Sequence, residues 1–188
     1  GDLVWEATRN IKEGDFVARL NKIDLPKKSH DFDLVELKKK FDLVEKDGSY
    51  AIKSRNLSRS NFIKLPEKTS DNLMELLGLI VSDGNISSKE YSVGFYNNDL
   101  DLINRFKHLV KEVFGINNFR EKNQNDSLGV IVYSKLLVEY VNLLGFTNEN
   151  KENIPPYFFT LPKSEIQAFV RGYFDGDGTV SKLKIKNM

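Results

Sequence analysis

The chain has 188 residues, of which 40% are hydrophobic and 29% charged, and a formal net charge of +1. That length buries a real core in one or two domains, and that charge is not the footprint of a generic nucleic-acid binder. With no cysteine and only His30 and His108, disulfides, thiolate sites and histidine-rich zinc centres are excluded, so any metal must be held mostly by oxygen, as magnesium is. No apolar run is long enough to cross a bilayer and no basic-then-apolar segment opens the chain, so no membrane partner and a cytoplasmic, intracellular protein are expected.

Residues 1–25 read as short strands, with Val4-Trp5-Glu6-Ala7 leading to Ile11–Ala18 through a Glu13-Gly14-Asp15 turn. Residues 26–65 read as a basic connecting region. Within it, Leu34, Val35, Leu37, Phe41 and Val44 have helical spacing, a Lys46-Asp47-Gly48 turn follows, and a basic, serine-rich stretch runs from Ala51 to Lys64. Between Lys38 and Lys64 eight basic residues stand against three acids, a surplus that suits either a phosphate contact or a plain solvated face.

Residues 66–160 read as an α-β-β-α-β-β-α half. Ser70 is the expected cap of a helix running to about Ser82, with Asp71 in its first turn and Gly84 as a left-handed C-cap. Tyr91, Val93 and Phe95 alternate with Ser92, Gly94 and Tyr96, as in a sheet with one buried face. Asp99 then caps a helix carrying Leu102, Phe106, Leu109, Val110, Val113 and Phe114, ended by Gly115. A polar Asn118–Gln124 strand, an apolar Leu128–Tyr133 strand and a helix from Ser134 to Gly145 complete the half. Asn153-Ile154-Pro155-Pro156 breaks the chain, and residues 161–188 begin a second half whose helix starts near Ser164. After Gly178 there is length for about one strand, so the second half is read as truncated.

The two halves are linked by a repeat. Leu76-Leu77-Gly78-Leu79-Ile80-Val81-Ser82-Asp83-Gly84 returns, 94 residues later, as Val170-Arg171-Gly172-Tyr173-Phe174-Asp175-Gly176-Asp177-Gly178. Ser70-Asp71 falls on Ser164-Glu165 at the same offset, and a Leu-Pro step precedes each copy. Duplication of an acid at one position implies two carboxylates related by a pseudo-twofold axis. Each sits at the negative end of a helix, where it costs roughly 0.3–1 kcal/mol unless a cation compensates. Gly78 and Gly172 would let the two helix backbones approach closely, bringing Asp83 and Asp177 side by side; anions so near repel unless a metal bridges them or one is protonated. An EF-hand at Asp175-Gly176-Asp177-Gly178 is excluded, because the position of its bidentate acid is Lys186.

Both segments resemble the LAGLIDADG (dodecapeptide) motif of homing endonucleases, and their spacing matches the single-chain, two-motif form. The resemblance covers roughly residues 65–188. It implies an α+β fold, with an αββαββα half followed by a pseudo-twofold second half, truncated here, and with the motif helices as the domain interface. It also implies that Asp83 and Asp177 are the catalytic pair and hold Mg2+ or Mn2+, with the carbonyls of Ser82 and Gly176 as further ligands. The first copy departs from the motif at Val81, where an acid is common; the second keeps Asp175. Lys151, in Lys151-Glu152-Asn153-Ile154-Pro155, is similar to the lysine before an Ile-Pro step in intein-borne members, where it polarises water or stabilises the pentavalent phosphate.

Trp5-Glu6-Ala7…Ile11-Lys12-Glu13-Gly14-Asp15-Phe16-Val17 resembles the last part of an intein splicing half-domain. The chain starts at Gly1, has no cysteine and lacks a terminal His-Asn pair, so descent from, or excision out of, an intein-type protein is expected rather than splicing. The implied function is a site-specific endonuclease that hydrolyses phosphodiester bonds of double-stranded DNA. Ser92, Tyr96, Asn98, Arg120, Lys122 and Gln124 are the candidates for the major groove, and Arg55 and Arg59 for phosphates; each is equally placed to be ordinary solvent-facing surface. The rival is a non-cleaving nucleic-acid binder, an RNA maturase or a transcription regulator, and retention of both motif acids argues against it. A second half cut short implies a missing C-terminal continuation or a complementary fragment.

Overall fold

The computed structural model describes residues 27–53, 62–124, 127–151 and 153–178, together with 10, 12 and 13. The strands expected over residues 1–25 lie almost wholly outside the described residues, as does the stretch after Gly178.

The helical spacing over 34–44 becomes helix only as far as α1 (Val35–Lys40). Leu43 and Val44 instead enter β1 (Leu43–Lys46), which pairs antiparallel with β2 (Ser49–Ile52). The reason is local: Asp47 and Gly48 both take positive φ, +49° and +71°, and such a two-residue turn matches the twist of a hairpin. Nor does this region only connect, since Leu34, Leu37, Ile63 and Leu65 are buried in the same core as the later elements.

Next comes α2 (Asp71–Asp83), whose cap Ser70 accepts the Leu73 N–H at 3.3 Å. Every residue from Leu73 to Val81 is buried, as in a helix packed on all sides. Gly84 is not the left-handed cap expected of it. It is extended (φ −89°, ψ 162°) and opens β3 (Gly84–Ser87), opposite Phe95 of β4 (Ser92–Asn97). Tyr91 also departs from the expected alternation: at φ +52° and 43% exposed it belongs to the turn.

The next helix, α3 (Leu100–Phe114), begins at Asp99, whose carboxylate accepts the Asp101 N–H at 2.8 Å, and ends at Gly115 with φ +72°. The second hairpin, β5 (Arg120–Gln124) and β6 (Ser127–Tyr133), completes an antiparallel sheet in the order β3-β4-β6-β5. Ile86, Val93, Phe95, Val130 and Val132 face the core, and Phe95 stacks on Phe106 of α3 at 5.0 Å between ring centroids. Ser134 caps α4 (Lys135–Leu143). A 3-10 turn, Pro156–Thr160, then leads to α5 (Lys163–Asp177).

The segment before α1 ties the starts of α2 and α5 together. Lys28 N–H donates to the Thr160 carbonyl (3.0 Å), and the Ser29 hydroxyl donates to buried Glu165 of α5. His30 exchanges bonds with Thr69, its N–H donating to Thr69 Oγ1 (2.8 Å) and its carbonyl accepting the Thr69 N–H (2.9 Å). The Phe32 N–H donates to the Glu67 carbonyl at 2.8 Å.

Candidate active site at the paired helix ends

Two glycines decide how closely α2 and α5 approach. A Cβ on Gly78 would overlap the Phe169 carbonyl oxygen and lie 2.7 Å from the Tyr173 nitrogen. On Gly172 it would overlap the Glu75 carbonyl oxygen and lie 3.1 Å from the Leu79 nitrogen. The helices therefore meet backbone to backbone, as expected for Gly78 and Gly172. The contact continues to the helix ends, where a Cβ on Gly176 would fall 2.6 Å from Ser82 Cβ and 3.4 Å from Asp83 Oδ2. Beside this junction opens a cleft of about 480 Å3, with Ser82, Lys151 and Asp177 among its walls.

The geometry around each acid is specific. Asp83, the last residue of α2, is half-buried, and its Oδ2 accepts a 2.6 Å hydrogen bond from Asn97 Nδ2. Asn97 Oδ1 in turn accepts the Asp99 N–H at 2.8 Å, at the cap of α3. Asp177, the last residue of α5, is exposed. Lys151 reaches the end of α2, where its ammonium donates to the carbonyls of Gly84 (2.9 Å) and Ser82 (3.4 Å). No residue in the last turn of α2 is basic, so Lys151 supplies from a distant loop the positive charge that a helix C-terminus favours. The Ser82 carbonyl, expected as a metal ligand, is thus already in contact with an ammonium.

Asn97 was not among the residues singled out by sequence. One signal marks it: in β4 it shares the inward register of Val93 and Phe95, a polar side chain at an apolar position. Three or more His, Cys, Asp or Glu groups able to hold a metal together do not occur among the described residues. What the junction offers is two carboxylates and backbone carbonyls, a sparse oxygen set that fits magnesium, which retains much of its own water.

Behind the site, Glu75 is 3% exposed yet charged. Arg105 of α3 grips it with two bonds, 2.6 and 2.8 Å, and Arg171 of α5 donates to the same carboxylate. Burial pushes the Glu75 carboxyl up, but the two guanidinium groups together hold it below its ordinary value.

On the outer face of the sheet, register brings Gly94, Ile131 and Arg120 into one row and Tyr96, Gly129 and Lys122 into the next. Arg120, Lys122 and Asn98 are exposed, and Tyr96 is half-buried, its ring lying over Gly94 and Gly129. Ser92 differs from expectation: at 5% exposed it offers a duplex little surface. Gln124 stands opposite Ser127 in the ladder. Arg55 and Arg59 lie outside the described residues.

Residues 70–147 match the family described as the LAGLIDADG-like domain. The chain carries a LAGLIDADG-like domain over these residues, in an α+β fold with antiparallel sheets. It is similar to a component of the A-type ATP synthase of Pyrococcus abyssi, 29% identical over 129 residues that make up 67% of this chain and 12% of that protein. It is also similar to a DNA polymerase of a Thermococcus species (34% identical, 79% of this chain and 9% of the relative) and to that of Thermococcus kodakarensis (36%, with 62% and 7%). The chain spans between 7% and 12% of the length of these relatives. No described helix is long and apolar enough to cross a membrane.

Proposed function

We propose that this chain is the DNA-cleaving part of an intein-type mobile element, a site-specific endonuclease that makes double-strand breaks with Mg2+ or Mn2+ held between Asp83 and Asp177. The observation that carries the reading is the backbone contact of α2 and α5, which brings the Gly176 backbone against Asp83 and leaves Lys151 and Asp177 on one cleft. The similarity to two unrelated kinds of long protein, DNA polymerases and an ATP synthase component, supports a segment that inserts into hosts rather than one that performs their reactions.

Asp83 and Asp177 would hold the cation, with the Gly176 carbonyl beside them. When bound, the metal supplies an activated water and neutralises charge on the phosphate and the leaving oxygen. Lys151, free to leave the carbonyl it holds at 3.4 Å, would turn its ammonium toward the phosphate, where developing negative charge rewards a fixed cation. Arg120, Lys122, Tyr96 and Asn98 would present the outer face of the sheet to the major groove, and Arg55 and Arg59 would add phosphate contacts.

Equivalent positions on the two motif helices differ sharply in exposure: Ile80 of α2 is 2% exposed and Phe174 of α5 is 61% exposed. That bare face supports a further segment or complementary fragment covering α5 in the assembled nuclease. The test is cleavage of a plasmid library of randomised target sites in Mg2+, followed by sequencing of the cut ends. Recovery of one long site, lost in Asp83→Asn and Asp177→Asn while binding persists, is the expected result. Selective binding of a site that wild type never cuts would favour the non-cleaving class instead.

A further inference from the structure

We infer that Asn97 is a positioning residue for Asp83, fixing which carboxylate oxygen of that acid is left for a divalent cation. The inference rests on the proposed metal-dependent reading of the site and adds a residue to it. An Asn side chain offers one acceptor and two donors, and its two ends are told apart only by their neighbours. Here the neighbours decide. The Asp99 N–H, 2.8 Å from Oδ1, can only donate, so the acceptor end of Asn97 is committed to the cap of α3. The amide nitrogen is therefore turned to Asp83 Oδ2, at 2.6 Å.

Three consequences follow for the acid. Asp83 Oδ2 is occupied by a neutral donor, so the carboxylate is oriented without an ion pair that would offset its charge. Among the described residues no other side chain donates to that carboxylate, which leaves Oδ1 as the oxygen with its full acceptor capacity for a cation. And because Asn97 closes β4 while Asp99 caps α3, the orientation of Asp83 is referred to two rigid elements and not to the end of α2 alone. A neutral amide suits this task better than the lysine nearby. An ammonium on the same carboxylate would repel the incoming cation, and Lys151 bonds to carbonyls instead.

Partners that orient a metal-binding side chain are worth roughly ten- to a hundredfold in affinity. The experiment is calorimetric titration of the purified chain with Mn2+ alone, without DNA, in three backgrounds: wild type, Asp83→Asn and Asp177→Asn. Asn97→Ala should weaken Mn2+ binding about tenfold in wild type and in Asp177→Asn, where the remaining carboxylate is Asp83. In Asp83→Asn it should change nothing. Thermal unfolding of each variant separates this from loss of fold. Equal weakening in both single-acid backgrounds, or none in wild type, overturns the inference while leaving the endonuclease reading intact. Failure of wild type to bind Mn2+ at all would overturn both.

Discussion

Lys151 shows how a single side chain joins two requirements. Its ammonium neutralises the carbonyl end of α2, bonding to Gly84 and Ser82 from 67 and 69 residues away in sequence, and it does so on the wall of the cleft that also holds Asp177. Lys151→Met keeps the length of the stem and removes the charge. Loss of the helix-end interaction should lower stability by only about 0.5–1 kcal/mol in urea unfolding. The single-turnover cleavage rate should fall far more, at least a hundredfold, with target affinity nearly unchanged, as for a group that acts on transition-state charge. A drop in affinity with an unchanged rate would make it a phosphate contact. Asp83 and Asp177 were marked in the sequence by repetition, and Lys151 by its Ile-Pro neighbourhood. Asn97 was not, because one amide at the end of a strand has no repeat partner, and its role depends on a contact across fourteen residues. Ser92 misled for the opposite reason: its alternation was right, but alternation reports a face of the sheet and not how deeply a residue on that face is covered.

At the scale of elements, the α2–α5 pair combines a close approach with one charged lock. Gly78→Ala places a methyl group against the Phe169 carbonyl and the Tyr173 nitrogen, both backbone, which cannot swing aside. It should cost about 3 kcal/mol, at the upper end for overpacked sites, measured as a lower urea midpoint with unchanged slope. A small change would mean the helices separate without penalty.

Glu75 makes the same interface sensitive to acid. Its carboxyl is held below its ordinary value of 4.5 in the folded state, so its contribution is complete above that pH and is lost as pH falls through the lower folded value. Glu75→Gln should lower the unfolding temperature at pH 7 by leaving two guanidinium groups unbalanced, and should flatten the decline of stability below about pH 4.5. Parallel pH curves for wild type and variant would remove this role. The glycines could be read in advance as a sign of close approach. The Glu75–Arg105–Arg171 cluster could not, since its three members come from three helices and share no sequence spacing. The hairpin β1–β2 was half-legible: the Asp47-Gly48 turn was visible, but apolar spacing favoured helix through Val44 until the turn's left-handed pair drew Leu43 and Val44 into a strand.

Over the whole molecule, the strand order β3-β4-β6-β5 is a matter of long-range pairing, whereas the αββαββα order followed from caps, glycines and alternation, local signals that agreed with the packing. The course of the segment before α1 did not, because its backbone bonds depend on where two distant helices begin. Residues 28–32 are stitched to Thr160 and Glu165 on one side and to Glu67 and Thr69 on the other. One short segment thus bonds to the approaches of both α2 and α5, so neither helix start can part from the other without breaking bonds to residues 28–32. The same stitching lies at the opposite end of α2 and α5 from Asp83 and Asp177, so it braces the pair without occupying the helix ends that carry those aspartates.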